Sequence, residues 1–194
     1  MGYRIPAFEL RPYMNVVELA KTRVMPLTGQ PYSFDMTPYF EKPCRFLDDV
    51  ASTCRVVISA PSQSGKSEIM LNFVAHIAIY DPAPSLLIMD TSNNSYKFSS
   101  GRVKPLLRDF VKLPAFDDTS VSNRNDDKKK AVSEYSLSNN SPLYIGGSVS
   151  LSDLCSKPCK YLVLDELARF YEGKEGSSVD LALKRQMRFR GMAL

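Results

Sequence analysis

The sequence predicts an α/β fold in which a mainly parallel central sheet is flanked by helices. Short, continuously apolar segments recur along the chain, and such segments are typical of strands that are buried on both faces. Helical segments alternate with them, which favours parallel strands joined by crossover helices. The 194 residues, of which 44% are apolar and 24% charged, have the length and composition of one globular domain.

The predicted elements alternate from residue 55 onward. Four apolar segments are predicted to be strands, namely residues 55–59, 85–90, 143–145 and 161–164. A helix is predicted over residues 66–80, because Asp81-Pro82 ends the helical pattern. A second helical stretch is predicted over about residues 94–110. Residues 117–130 carry too few apolar side chains to pack and are predicted to form an exposed loop.

The first fifty residues have a different character from the rest of the chain. Six prolines interrupt them, at positions 6, 12, 26, 31, 38 and 43. Proline disfavours regular elements, so this region is predicted to be an irregular arm with short helical pieces around residues 16–23 and 40–50. We therefore expect residues 1–50 to be an N-terminal arm that packs on the core, and residues 51–194 to be that core.

Composition excludes several classes of protein. A net charge of +4 is too small to indicate a nucleic-acid coat, and no apolar run is long enough to span a membrane. The N-terminus lacks the apolar core of a signal peptide, which favours a cytosolic protein. His76 is the single histidine, so reduced thiols are favoured over a zinc site at the four cysteines, Cys44, Cys54, Cys155 and Cys159. His76 itself is expected to be a partly buried residue of a helix.

The first motif with chemical meaning lies between the first predicted strand and its helix. Residues 60–67 read Ala-Pro-Ser-Gln-Ser-Gly-Lys-Ser, which matches a phosphate-binding P-loop except that Ala60 stands at the first glycine. A loop that closes onto a helix start directs backbone N–H groups and the positive end of the helix dipole at an anion. Gly65 would let the backbone approach, Lys66 would reach the β- and γ-phosphates, and Ser67 would ligate Mg²⁺. The alternative is a helix start with a lone lysine.

The second motif is the pair Asp165-Glu166, which directly follows the predicted strand at 161–164. A parallel strand that ends there would place Asp165 at the ligand-binding edge of the sheet, where it could hold Mg²⁺. Glu166 would polarise the attacking water as a general base. Taken alone, such a pair could cap a helix. Together with the P-loop it predicts a Walker B site, and a glutamate that activates water favours ATP hydrolysis over transfer to another substrate.

These motifs resemble, in the same order, the large terminase subunit of lambda-like tailed phages. The resemblance covers about residues 30–190. It rests on Thr37-Pro38-Tyr39, the glutamine-containing Walker A at 59–68, Tyr144-Ile145-Gly146-Gly147, Asp165 to Phe170, Glu175-Gly176-Ser177 and Lys184-Arg185.

The resemblance implies a P-loop NTPase of the additional-strand, conserved-glutamate (ASCE, RecA-like) type, with ATP and Mg²⁺ as its nucleotide and metal. It implies a motor that moves double-stranded DNA into a procapsid, as a homo-oligomeric ring on the portal, with a small terminase subunit and no membrane. The setting would be the cytoplasm of the infected bacterial host. The loop at 117–130 is then either solvated or in contact with DNA phosphates. We expect the ATPase part of a longer enzyme, truncated at its C-terminal end and without nuclease activity.

The resemblance also implies an ATP site, formed by Ser62, Gln63, Ser64, Gly65, Lys66, Ser67 and Glu68. Tyr39 is the candidate adenine contact, with ordinary packing in the arm as the alternative. Some family members have an arginine where this chain has Ser62, so Arg185 is the candidate arginine finger, or else a solvated or DNA-facing charge. Two other functions remain open: a nucleotide-binding assembly fragment without turnover, and a helicase-type P-loop ATPase.

Overall fold

The computed structural model describes residues 12–48, 56–113, 132–149, 157–170, 172–173 and 176–186. Its central sheet contains β1 (Ser85–Met89), β2 (Val132–Ser136), β3 (Pro142–Gly147) and β4 (Tyr161–Leu164). The strand order is β2-β3-β1-β4. β1 pairs in parallel with both β3 and β4, and β2 pairs antiparallel with β3. The predicted α/β fold with a mainly parallel sheet is confirmed.

The described helices are α1 (Val16–Lys21), α2 (Glu41–Phe46), α3 (Lys66–Tyr80), α4 (Ser92–Phe98) and α5 (Ser178–Lys184). α3 has the predicted bounds. α4 continues through wider π-helical turns at Ser99–Val103 and Leu106–Val111, so the helical stretch predicted over 94–110 is also confirmed. A short ribbon of β5 (Glu172–Gly173) and β6 (Gly176–Ser177) precedes α5.

The central strand β1 is buried at all five positions, because helices cover both faces of the sheet. Its alternate side chains face opposite ways, as the two-residue period of a strand requires. Leu87 packs with apolar residues of α3 and of the helical run after α4. Leu86 and Ile88 pack with Ala182 of α5. A continuous apolar run is what a strand between two helical layers needs.

The end of β3 lies directly against the start of α4. A Cβ added at Gly147 would lie 2.3 Å from the backbone nitrogen of Ser92. Such a contact with backbone cannot be relieved by turning a side chain, so only glycine fits at this position. β1 and β3 end side by side through their parallel pairing, and this close approach places the start of α4 against those ends.

The prediction of a strand at 55–59 is wrong for residues 56–59, which the structure describes. Residues 56–59 form no strand, and the side chain of Val57 is 82% exposed. Ile58 and Ala60 instead pack against the apolar cluster of the arm. An apolar run predicts burial, but a strand also needs a neighbour for its backbone groups, and no described strand pairs with this segment. β2 was not predicted, and the loop expected at 117–130 lies outside the described residues.

The arm packs on α3 through its short helices. Both predicted helical pieces are present as α1 and α2, joined by single 3₁₀ turns at Phe34–Met36 and Pro38–Phe40. Asn15 caps α1 in a capping box with Glu18. The apolar faces of α1 and α2 cluster with Ile69 of α3. The division expected between residues 50 and 51 lies outside the described residues and stays a prediction.

His76 and the described cysteines are buried in this fold. His76 lies on α3 with 3% of its surface exposed, and its Nε2 is 3.1 Å from the carbonyl oxygen of Met14. Burial lowers the pKa of His76. Cys44 and Cys159 are free thiols, and burial raises the pKa of each to about 12. In the described ranges, no three His, Cys, Asp or Glu side chains are grouped as metal ligands.

Candidate active site

The loop before α3 has the backbone of an anion-binding turn. Gln63 and Gly65 both have left-handed conformations, with φ values of 60° and 94°. Gly65 adopts this conformation without the steric cost that a side chain brings, and α3 begins at the next residue. No side chain caps this start of α3. Its first N–H groups therefore have the arrangement that favours phosphate.

The arm lies against this loop. The hydroxyl of Tyr39 donates a hydrogen bond to the carbonyl oxygen of Ser64, at 3.1 Å. A Cβ at Gly65 would lie 3.4 Å from the side chain of Thr37. Tyr39 is 57% exposed, which leaves most of its ring accessible beside the loop. The resemblance that grouped Thr37-Pro38-Tyr39 with the P-loop thus joins two segments that touch. The adenine contact assigned to Tyr39 stays a prediction.

Lys66 connects the loop to the second motif, although 100 residues separate Lys66 from Glu166. Its ammonium donates to the carbonyl oxygen of Ala60 at 3.0 Å and lies 3.4 Å from Glu166 Oε1. Both side chains of this ion pair are partly exposed, at 24% and 34%. The two motifs that were identified separately in the sequence therefore meet at one edge of the sheet.

Asp165 and Glu166 stand where β4 ends. The Asp165 N–H donates to the carbonyl oxygen of Ile88, at 2.9 Å. Burial and the neighbouring Glu166 charge raise the pKa of Asp165. Glu166 has a left-handed backbone, with φ 55° and ψ 47°, which is uncommon for a residue with a side chain. Such backbone strain is often found at functional sites.

The residues present fit a bound magnesium ion. Mg²⁺ prefers hard oxygen donors and takes only one or two protein carboxylates, because phosphates and water complete its shell. The hydroxyl of Ser67 in the first turn of α3 and the carboxylate of Asp165 offer such donors. Burial, and after it the neighbouring Glu166 charge, raises the pKa of Asp165 and so disfavours its charged form in the absence of a cation. A bound cation would favour that charged form.

Two residues at this edge were missed in the sequence. Asp90 directly follows β1, and only 8% of its surface is exposed. Its Oδ1 accepts hydrogen bonds from the Thr91 N–H and the Asn94 side-chain amide, at 2.8 and 2.7 Å. Arg169 lies within 4 Å of both Asp90 and Glu166. The signal for Asp90 was its position directly after a buried strand, as for Asp165. Arg169 lies in the Asp165 to Phe170 segment that carries the family resemblance, but no role in the site was predicted for it from the sequence.

The side chain of Glu68 is engaged on the arm side of α3. Its Oε2 is 2.6 Å from the guanidinium of Arg23, which is fully buried, and its Oε1 is 3.7 Å from that of Arg102. Arg23 also donates to Asn72 at 2.7 Å and lies over the ring of Tyr32. These contacts give Glu68 a structural role. Its assignment to nucleotide binding stays a prediction.

Arg185 lies at the other end of β4 from the loop. α5 ends at Lys184, so Arg185 follows the helix, and residues 187–190 lie outside the described residues. The Arg185 carbonyl accepts from the Cys159 N–H, two residues before β4 begins. Glu166 follows the opposite end of that strand. A finger reaching a neighbouring subunit stays a prediction for Arg185.

The remaining loop residues differ in exposure. Ser62 and Gln63 are exposed, whereas Ser64 and Ser67 are half-buried. The Ser64 hydroxyl oxygen is buried and has no hydrogen-bond partner among the described residues. Roles in nucleotide binding for these residues remain predictions.

A comparison with protein families identifies the chain. The family model for the ATPase domain of the phage terminase large subunit gpA matches residues 28–193. The chain belongs to this family. The resemblance drawn from the motifs is confirmed. No significant match was found among curated proteins or among solved structures.

Membership assigns this terminase domain to the P-loop NTPases and to the ATPases of phage DNA packaging motors. The matched residues include both the loop before α3 and the carboxylates after β4. In the part of the chain that is described, no helix has the length and apolarity needed to cross a membrane.

Proposed function

We propose that this domain hydrolyses Mg²⁺·ATP to translocate double-stranded DNA into a procapsid. The observation that carries the proposal is the 3.4 Å approach of Lys66 to Glu166, which joins a phosphate-binding loop to a carboxylate able to activate water. The family membership supports the packaging role. The geometry supports hydrolysis, because a carboxylate this close to the phosphate-binding lysine can accept a proton from an attacking water.

In this proposal each residue has a separate task. The backbone of the loop at 62–67 holds the triphosphate, and Lys66 neutralises charge on its β- and γ-phosphates. Ser67 and Asp165 would hold Mg²⁺, which supplies further charge neutralisation when bound. Glu166 accepts a proton from the attacking water. Phosphoryl transfer needs mainly positioning and electrostatic stabilisation, which these groups provide.

The partners in the proposal follow from the family. The domain would act as a homo-oligomeric ring on the portal, with a small terminase subunit, in the cytoplasm of the infected bacterium. Arg185 is proposed as a finger that one subunit extends to the ATP of the next. Such a finger in trans can contribute about 10³–10⁵ in rate, so the single chain should be slow on its own.

Glu166→Gln tests the hydrolysis step. We expect the variant to bind ATP like wild type, while its DNA-stimulated turnover in the assembled motor falls by about 10²–10⁴. Glu41→Gln is the matched control, because it makes the same chemical change in an exposed pair with Arg45. Equal turnover by wild type and Glu166→Gln would contradict the proposal. ATP binding without turnover in wild type, with DNA and partners present, would instead favour an assembly fragment, and strand separation would favour a helicase.

A further inference from the structure

Arg169 links the candidate general base to the neighbouring strand. Arg169 ends the single 3₁₀ turn Leu167–Arg169 that follows Glu166. Its backbone N–H donates to the carbonyl oxygen of Glu166 at 2.8 Å. Its Nε is 3.9 Å from Glu166 Oε2, and its Nη1 is 3.8 Å from Asp90 Oδ2. One guanidinium therefore lies between a carboxylate after β4 and a carboxylate after β1.

The Asp90 carboxylate is itself firmly held and lies 3.8 Å from this guanidinium. Its side chain is 9% exposed, whereas that of Arg169 is 65% exposed. The hydrogen bonds from Thr91 and Asn94 both end on Oδ1, which fixes the carboxylate plane and directs Oδ2 to Arg169. The exposed Arg169 side chain thus has a held carboxylate within ion-pair distance.

Glu166 contacts two cations, one on each oxygen. Lys66 lies at Oε1 and Arg169 at Oε2. A triphosphate carries more negative charge than one carboxylate, so Lys66 is drawn to the nucleotide when ATP binds. Glu166 then loses its contact with Lys66. Of the two cations, only Arg169 stays beside it, because Arg169 is attached to Asp90 rather than to the loop.

We propose that Arg169 is a positioning residue for Glu166. Anchored on Asp90, it holds the Glu166 carboxylate in the orientation needed to accept a proton from water once Lys66 has turned to the phosphates. The inference rests on the ATP hydrolysis proposed above and names a residue that controls its base. Arg169 contacts neither the substrate nor the water in this role.

Steady-state kinetics and equilibrium ATP binding of the full chain in the assembled motor test the inference. Arg169→Ala should lower kcat about fivefold, the size expected for a partly exposed ion pair, and leave KM and ATP binding unchanged. Arg169→Lys should restore part of kcat, because it keeps the charge. Asp90→Asn should lower kcat by a similar factor, and the double variant with Arg169→Ala should be no slower than either single variant. Arg108→Ala is the control, since Arg108 pairs with Asp109 in a different part of the chain.

The outcomes separate the inference from the proposed function. Unchanged kcat in Arg169→Ala overturns the inference, and so does a raised KM with unchanged kcat, which would mean direct contact with the nucleotide. A loss of kcat that is equal in Arg108→Ala, or one that adds fully to that of Asp90→Asn, also overturns it. In each of these cases turnover by wild type and its loss in Glu166→Gln still support hydrolysis. Equal turnover by wild type and Glu166→Gln, or ATP binding without turnover in wild type, would overturn the proposed function itself.

Discussion

Two ion pairs start from the first turn of α3 and differ in almost every physical respect. Glu68 meets the fully buried Arg23 at 2.6 Å, on the side of the arm. Lys66 meets Glu166 at 3.4 Å, on the side of the sheet edge, with both side chains partly exposed. Breaking a short, buried ion pair leaves a charge without its partner in a poorly solvated place, which costs much free energy. A longer, solvent-exposed pair can exchange partners at little cost, because water solvates both groups. The first pair is suited to stability, and the second to exchange with a ligand.

Among the changes that test this contrast between the two pairs, removing Lys66 has the largest expected effect. Lys66→Ala should lower ATP turnover by about 10²–10³, because a donor aimed at developing phosphate charge is lost. The unfolding midpoint of the nucleotide-free chain should hardly change, since an exposed ion pair contributes little to stability. Thermal melting and ATPase assays on the same preparation check both parts. A large loss of stability would remove the contrast between the two pairs.

Removing Arg23 should mainly lower stability, whereas removing Lys66 should mainly lower turnover. Arg23→Met should lower the free energy of unfolding by about 3 kcal/mol, because it leaves the Glu68 carboxylate without its close partner in a buried site. Urea denaturation measures this change. Arg45→Met serves as the control: Arg45 is exposed and pairs with Glu41 within α2, so no measurable change is expected. Equal effects of the two substitutions would show that burial does not distinguish these pairs.

Gly65 directly precedes α3, and its substitution is expected to have a smaller effect. Gly65→Ala should lower the free energy of unfolding by about 1–2 kcal/mol, since alanine is strained at φ 94°. Gly101→Ala is the matched control, because Gly101 has helical backbone and open space where its Cβ would lie. That variant should be as stable as wild type or slightly more stable. Chemical denaturation of both variants checks the difference, and ATP binding should weaken only in Gly65→Ala.

The smallest effect is a pH dependence on the arm side. The pKa of His76 is lowered in the folded chain by burial, so the unfolded chain takes up the proton first as pH falls. Stability from this residue is therefore complete above its unfolded pKa of about 6.5 and is lost as pH falls toward the lower folded value. His76→Gln should remove this loss. From about pH 7.5 to pH 5, the unfolding free energy of wild type should fall relative to that of the variant. Since His76 is the only histidine, a constant difference would contradict the assignment.

Much of the architecture could be predicted from the sequence, because it depends on local patterns. The bounds of α3 follow from Gly65 before it and Asp81-Pro82 after it, and β4 is a short apolar run between polar residues. The strand predicted at 55–59 failed for a non-local reason. Ile58 of this segment does pack against the arm, but strand pairing depends on which strand edge lies beside the segment.

The sequence by itself determined the phosphate-loop motif, the carboxylates after β4 and the family to which the chain belongs, because each depends on residue types at fixed spacings. Only the tertiary structure decided which charges meet. It paired Lys66 with Glu166, turned Glu68 toward Arg23, and brought Asp90 and Arg169 to the same sheet edge. For Asp90 and Arg169 the physical reason is that the parallel pairing of β1 with β4 sets their carboxyl ends side by side. No local pattern encodes that distance.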